Sequence, residues 1–341
     1  MSEIDILKRI ETLENKVAEL ENTLNTIGMM EKSERITEYL QNRRRNQSLV
    51  SLVNSMSDEE IVFGSQEIEN TKRLVDEQKK IELQIRASIE NERQNINKSA
   101  NDESLFNTER NGQEITITGY NGFNDHTIII PSTINGIEVK KIGYQAFENL
   151  TCEHVVIPDT VTSIGPYAFK NCVKLESVAI GAGVLSIGFY AFAECESLKI
   201  VSLPEKLIEL DHNCFNSSGI TRIVIPSSVT TIPKSCFANC QDLKEVVISE
   251  GVESIEDFAF HNCNKLTDLV IPNTVSVVDT FLIALNCNLV FLGTDTRWRG
   301  KKPYSDNPKC RIYCRLGSAI LQPARQSGCE VHPLSEYYDN R

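Results

Sequence analysis

IPDTVTSIGPYAFKNCVKLESVAI, residues 157–180, holds the pattern that decides the fold. Its Phe169 has counterparts at Phe147, Phe192, Phe215, Phe237 and Phe260, with Ile283 in the seventh place. The intervals along this series are 22, 23, 23, 22, 23 and 23 residues. Five residues before each stands a branched aliphatic: Ile142, Ile164, Ile187, Leu210, Ile232, Ile255 and Val278. Three before that stands another: Val139, Val161, Val184, Leu207, Val229, Val252 and Val275. After the Phe comes Leu175-x-x-Val178-x-Ile180, matched at Leu198, Ile220, Leu243 and Leu266, often closed by proline (Pro158, Pro204, Pro226, Pro272).

A fixed period near 23 residues is the mark of a solenoid with one supersecondary unit per coil. The L-x-x-V-x-I segment is β-branched and alternating, so it reads as a strand, and successive strands stack in register as a parallel sheet. The V-x-x-I segment suits a second short strand or turn. The A-F-x-x-C segment suits a short helical turn whose Phe plugs the interior. Burying one such side chain is worth ~1.5–3 kcal/mol, and a single coil cannot bury its own, so neighbouring coils must offset the ordering entropy. About seven coils of 22–23 residues are expected over 142–292.

These residues resemble the BspA-like leucine-rich repeats. ITITGYNGFNDHTIIIPSTINGIEVKKIGYQAF (115–147) is similar to that family's N-terminal capping hairpin and first unit. CRIYCRLGSAILQPARQSGCEV (310–331) is similar to its closing strand–helix–strand, with Gly328 placed to end the helix. The likeness spans 113–333: cap 113–141, repeats 142–292, irregular segment and C-terminal cap 293–333, then a tail, 334–341. It implies a binding module without catalytic residues, in a family described as adhesins and surface proteins. SVVDTFLIALNC (276–287) has lost the Ile-Gly and Ala-Phe pairs, as expected where a solenoid ends.

The first third differs in kind. All 11 prolines and all 11 cysteines follow residue 130, and before Gly112 the only glycines are Gly28 and Gly64. Pro and Gly are poor in helix interiors, so the region reads as helix and the whole chain as α+β. Ile6, Ile10, Leu13, Val17, Leu20, Leu24 and Ile27 are spaced 4, 3, 4, 3, 4, 3. Arg9 and Lys16 fall at g, Glu14 and Glu21 at e. That seam predicts a parallel coiled coil over 1–30 and a homo-oligomer, dimer or trimer. An amphipathic helix folded on its own chain is the alternative. Residues 31–98 read as further helix, with Leu74, Ile81, Ile85, Ile89 and Ile96 on one face. Residues 99–112 read as a linker.

Of the cysteines, Cys172, Cys195, Cys240, Cys263, Cys287, Cys214, Cys236 and Cys152 occupy repeat slots that want a small apolar residue. Asn171, Asn239, Asn262 and Asn286 precede four of them, and their amides are expected to bond to backbone between coils. Cys310-x3-Cys314 with Cys329-x2-His332 is the one candidate zinc set; the same residues also fit a packed cap, and no metal or cofactor is assigned. Trp298 reads as cover for the end of the core, with a partner anchor as the alternative.

Outward positions of the L-x-x-V-x-I strands form two columns. One runs His154, Ser177, Ile200, Arg222, Glu245, Asp268; the other runs Val156, Ala179, Ser202, Val224, Val247, Val270. The first is chemically mixed, as a recognition face is; an exposed apolar strip like the second marks an interaction site. The net charge is −12, with acids exceeding bases in both parts of the chain, so no nucleic-acid footprint is expected. No apolar run reaches the ~18 residues of a membrane helix. Met1–Ile10 holds four charged residues and no apolar signal segment. The expectation is a cytosolic, non-enzymatic scaffold for a protein partner; the alternatives are an adhesin exported without such a signal and, less favoured, an enzyme or zinc protein using the terminal Cys/His set.

Overall fold

The computed structural model describes residues 102–122, 125–279, 287–299, 311–315, 317–326 and 328–339. The chain divides into two units, Met1–Asn70 and Thr71–Arg341, and every described residue lies in the second. The coiled coil expected over 1–30 and the helical region expected over 31–98 lie outside the described residues.

What is described is a parallel β-solenoid of about nine turns with almost no helix. Each full coil contributes a front strand and a back strand. Front strands Thr127–Ile129, His154–Val156, Ser177–Ala179 and Ile200–Val201 form one sheet, Arg222–Ile225 pairs with Glu245–Ile248, and Asp268–Ile271, Asn288–Phe291, Arg311–Cys314 and Glu330–Pro333 form another. The back ladder runs Ile137–Ile142, Ser163–Ile164, Ser186–Ile187, Glu209–Leu210, then Thr231–Ile232, Ser254–Ile255, Val277–Asp279 and Arg297–Arg299. Register follows the repeat: Ser163 pairs with Ser186, Ser186 with Glu209, Ser254 with Val277.

The turns outnumber the seven expected coils because both ends keep winding after the Phe-centred signature is gone. Ile115 pairs in parallel with Val139 at the start. Asp268 pairs with Asn288, Leu289 with Ile312 and Arg311 with Glu330 at the end. The expected linker also needs correction: Phe106–Asn111 is a strand, antiparallel to Glu114–Tyr120. It forms because Phe106 is buried, its ring 5.0 Å from Tyr120 and 6.4 Å from Phe147, closing the open end of the core. The expected tail contains a helix, Leu334–Asp339, held by buried Leu334 and Tyr337.

The core is a stack of rings. Phe147–Phe169, Phe169–Phe192, Phe192–Phe215, Phe215–Phe237 and Phe237–Phe260 have centroids 4.9, 5.1, 5.3, 5.5 and 5.5 Å apart and planes within 6°. The segment around each Phe is not the helical turn expected. Its N–H groups reach the next coil instead: Phe147 N–H to Ala168 O (2.8 Å), Phe169 to Ala191 (2.8 Å), Phe192 to Cys214 (2.7 Å). Left-handed residues two before and two after the Phe make this possible, such as Tyr167 (φ 57°) and Asn171 (φ 59°), or Ser235 (φ 54°) and Asn239 (φ 61°). Alternating hands turn every second amide toward the neighbouring coil, so a run of strained backbone is held by its inter-coil bonds. Gly165 sits where coils touch; a Cβ there would lie 2.8 Å from Ile142 O.

Two ladders refine the sequence reading. The cysteines are donors as well as fillers: Cys172 Sγ donates to Phe147 O (3.0 Å), Cys195 to Phe169 O, Cys240 to Phe215 O and Cys263 to Phe237 O (3.1 Å each). The asparagine amides bond along the stack to each other rather than to backbone: Asn171 Nδ2 to Asn149 Oδ1 (2.6 Å) and Asn262 Nδ2 to Asn239 Oδ1 (3.0 Å).

Candidate functional site

The front sheet gathers the outward columns. Within Arg222–Ile225, Ile223 and Ile225 point into the core while Arg222 and Val224 point out, the two-residue alternation of a strand. Parallel pairing then sets equivalents side by side: His154 beside Ser177, Ser177 beside Ile200, Arg222 beside Glu245, Val224 beside Val247.

The mixed column is knit along its length. His154 Nδ1 and Ser177 Oγ are 2.9 Å apart. Arg222 Nε and Glu245 Oε2 form a 2.9 Å ion pair with both side chains well exposed. Asn288 Nδ2 donates to Asp268 Oδ1 (2.9 Å), so Asn288 extends the column beyond the residues expected. Backbone ladders break between Ile200 and Arg222 and between Glu245 and Asp268, so the column stands on three hydrogen-bonded segments. The second column is not the exposed strip expected. Ala179, Val224 and Val247 are buried, and Val156, Ser202 and Val270 are half-buried.

Sequence reasoning missed a ring cluster at the Phe-segment corner. Tyr144 packs edge-on to Tyr167 (5.7 Å), Tyr167 and Tyr190 stack at 5.6 Å, and Lys170 Nζ lies 5.8 and 5.9 Å from their centroids. The signal was present as Tyr167 and Tyr190, each two residues before a core Phe.

The C-terminal candidates separate. Cys310 lies outside the described residues. Cys314 pairs with Pro333 and Tyr313 with His332, so Cys314 and His332 occupy opposite faces of one sheet. Cys314 and Cys329 belong to the main core, whereas the His332 ring stacks 5.3 Å from Tyr313 and its Nδ1 meets Glu336 at 2.8 Å. Among the described residues no group of three or more His, Cys, Asp or Glu is arranged to hold a metal ion. Trp298 is half-buried against the end of the core. The oligomerisation candidates Ile6, Ile10, Leu13, Val17, Leu20, Leu24 and Ile27 lie outside the described residues.

Cys152, Cys172, Cys195, Cys214, Cys236, Cys240, Cys263 and Cys314 are buried and stand outside any disulfide. Burial pushes the Cys152 and Cys240 thiols up to about 12, and Cys236 and Cys263 well above the ordinary thiol range. Such thiols stay neutral and poorly nucleophilic, which suits packing rather than chemistry.

The model of the BspA type leucine rich repeat region matches in six copies, with residues 85–176, 116–244 and 162–289 covered. The chain belongs to the BspA-type leucine-rich repeat family. No curated protein matches it. Solved structures similar to this BspA-type chain include a leucine-rich repeat protein of T. pallidum (21% identity, 49% of this chain and 91% of that one, TM-score 0.41). A leucine rich cell surface protein of Faecalibacterium prausnitzii is 23% identical over 63% of this chain and 76% of its own, TM-score 0.46. A leucine-rich repeat protein of Bacteroides ovatus is 22% identical over 61% and 68%, TM-score 0.43. Among the described residues no helix is long and apolar enough to cross a membrane.

Proposed function

We propose that this BspA-type chain is a non-enzymatic protein-binding scaffold, oligomerised through its heptad region and presenting the front sheet to a protein partner. The observation that carries the reading is the mixed column: His154, Ser177, Arg222, Glu245 and Asp268 stand on front strands in three hydrogen-bonded segments and differ from coil to coil. A periodic interior that displays aperiodic chemistry is how a repeat protein encodes recognition. Two or three solenoids joined by Ile6–Ile27 would bind by avidity, so each contact is weak alone. The buried thiols of Cys152, Cys172, Cys195, Cys240 and Cys263, outside any disulfide, suit a reducing cytosol.

Light scattering of the full chain tests the assembly. It should give two or three copies, and Leu13→Asp with Leu20→Asp should give one; a monomeric parent overturns the assembly. Affinity capture with the full chain, against a variant carrying His154→Ser, Arg222→Ser, Glu245→Ser and Asp268→Ser, tests the face. Identical proteins recovered by both would overturn it. Cell fractionation tests the compartment.

A further inference from the structure

The slot just before the core ring holds alanine in four coils (Ala146, Ala168, Ala191 and Ala259) and cysteine in two, Cys214 and Cys236. These two occupy equivalent positions one coil apart, where Phe215 N–H donates to Cys236 O (2.9 Å). Both side chains are fully buried, and their Sγ atoms lie 3.2 Å from each other. Cys172, Cys195, Cys240 and Cys263, by contrast, each donate to a carbonyl of the preceding coil. Packing alone asks for no sulfur beside the ring, because alanine fills the same slot elsewhere. The same two coils are where the back ladder fails. Gly165, Gly188, Asp211 and Glu256 donate backbone N–H groups to Ile142 O, Ile164 O, Ile187 O and Ile232 O, at 2.8, 2.8, 2.9 and 2.9 Å. Pro233 takes the equivalent place and has no N–H to give to Leu210 O. Among the described back strands the ladder breaks once, between Glu209–Leu210 and Thr231–Ile232. Cys214 stands four residues after the first of these strands, and Cys236 four after the second.

We propose that Cys214 and Cys236 are a disulfide-forming pair, closed by a hydroperoxide, that staples the coil of Phe215 to the coil of Phe237 where the back ladder is interrupted. Coil spacing permits the bond. Equivalent backbone positions lie ~4.8 Å apart in a parallel ladder, within the ~4.4–6.8 Å that separates Cα atoms across disulfides. The sulfurs have only to close from 3.2 Å to ~2.05 Å. The oxidation balances at one hydrogen peroxide per pair. One sulfur, as thiolate, attacks a peroxide oxygen and expels hydroxide, leaving a sulfenic acid; the other displaces the sulfenic hydroxyl, and the S–S bond forms. The two thiols give up two protons and two electrons, and the peroxide is reduced to two waters. In the closed solenoid burial keeps the Cys236 thiol protonated and out of reach, so reaction waits on local opening. The bond that Pro233 cannot make lowers the cost of opening at this seam. Once formed, the disulfide holds the seam shut. In a reducing compartment the pair rests as thiols, and the staple forms under oxidant. The pair stands apart from both the heptad and the partner.

Treating the full chain with hydrogen peroxide, alkylating the remaining thiols and mapping the peptides by mass tests it. The expected product joins Cys214 to Cys236, with the loss of two thiols, and a dithiol reductant reverses it. Amide exchange over Glu209–Leu210 and Thr231–Ile232 should slow at least ~10-fold in the linked chain. Cys214→Ala and Cys236→Ala place in each slot the residue that other coils use there, so both variants should fold, and each should lose the link and the slowing. Cys240→Ala should keep both. Pro233→Ala supplies the missing N–H and should slow formation of the link severalfold. Absence of a link between Cys214 and Cys236 at excess peroxide, whatever other cysteines oxidise, would overturn the pair. A link that leaves amide exchange unchanged would overturn the staple. An unchanged rate in Pro233→Ala would overturn the seam as the oxidant's way in.

Discussion

The inside and the outside of this solenoid follow opposite rules. Inside, one ring type recurs from Phe147 to Phe260 with nearly parallel planes, and a sulfur or hydroxyl side chain sits three residues after the ring in most coils. Outside, the corresponding column changes from imidazole to hydroxyl to guanidinium to carboxylate. An interior ladder must repeat, because each coil is the mould for the next and a misfit is felt on both sides. An outward side chain answers only to its two lateral neighbours and to whatever binds it. Repetition therefore reports the fold, and its absence marks where recognition is written.

That contrast can be broken by substitution. Phe192→Ala removes a ring stacked on both sides, and should cost ~3–5 kcal/mol in denaturant unfolding; a cost below ~1 kcal/mol would mean that the stack is not the core. The buried thiols give an alkaline signature. They stay neutral in the folded chain to about 12 for Cys152 and Cys240 and ionise in the unfolded chain above 9.0. Above pH 9 the unfolded state binds fewer protons, so stability falls as pH rises from 9 towards 12 and is untouched below pH 9. Each thiol accounts for ~1.4 kcal/mol by pH 10. Cys240→Ala should flatten that fall in urea midpoints measured against pH; an unchanged slope would refute the assignment.

Smaller effects sharpen the comparison. Asn239 is left-handed and bonded within the amide ladder. Asn239→Ala should cost ~1–2 kcal/mol in thermal unfolding, and Asn239→Gly should recover most of it, because glycine restores the backbone but not the amide. Cys240→Ser should stay within ~1 kcal/mol of the parent, since Ser218 already fills the equivalent slot one coil earlier, whereas Cys240→Val should overpack by ~1–3 kcal/mol. At the quiet end, Arg222→Ala breaks an exposed ion pair with Glu245 and should shift stability by less than ~0.5 kcal/mol. If Arg222→Ala instead rivals Phe192→Ala, the outer face is structural and the proposed recognition role falls.

Legibility followed the same division. The period of Phe147 to Phe260 placed the core rings and the front strands, because interior side chains are constrained by copies of themselves; it left the V-x-x-I segments as strand or turn and did not show that Val224 and Val247 are buried. The ends were read less well. Phe106 looked like part of a polar linker because its partners, Tyr120 and Phe147, are brought to it only by the hairpin. Leu334 and Tyr337 looked like a tail because the surface they cover, Val290 and Tyr313, is built by other turns. Cys314 and His332 could be read either as a packed cap or as members of one ligand set, because spacing along the chain says nothing about the face of the sheet each will occupy.

By itself the amino-acid order determined that this chain winds in coils of 22–23 residues around a phenylalanine stack, since that requirement is local and repeats. Only the tertiary structure decided that the Phe segment is an inter-coil ladder of alternating backbone hand rather than a helical turn, because its amides find their acceptors one coil away. It also decided that the thiols donate to the carbonyl of the preceding coil's Phe. And it decided that Val224 and Val247 are buried while Arg222 and Glu245 remain open, because burial depends on what lies over a face, which no single strand contains.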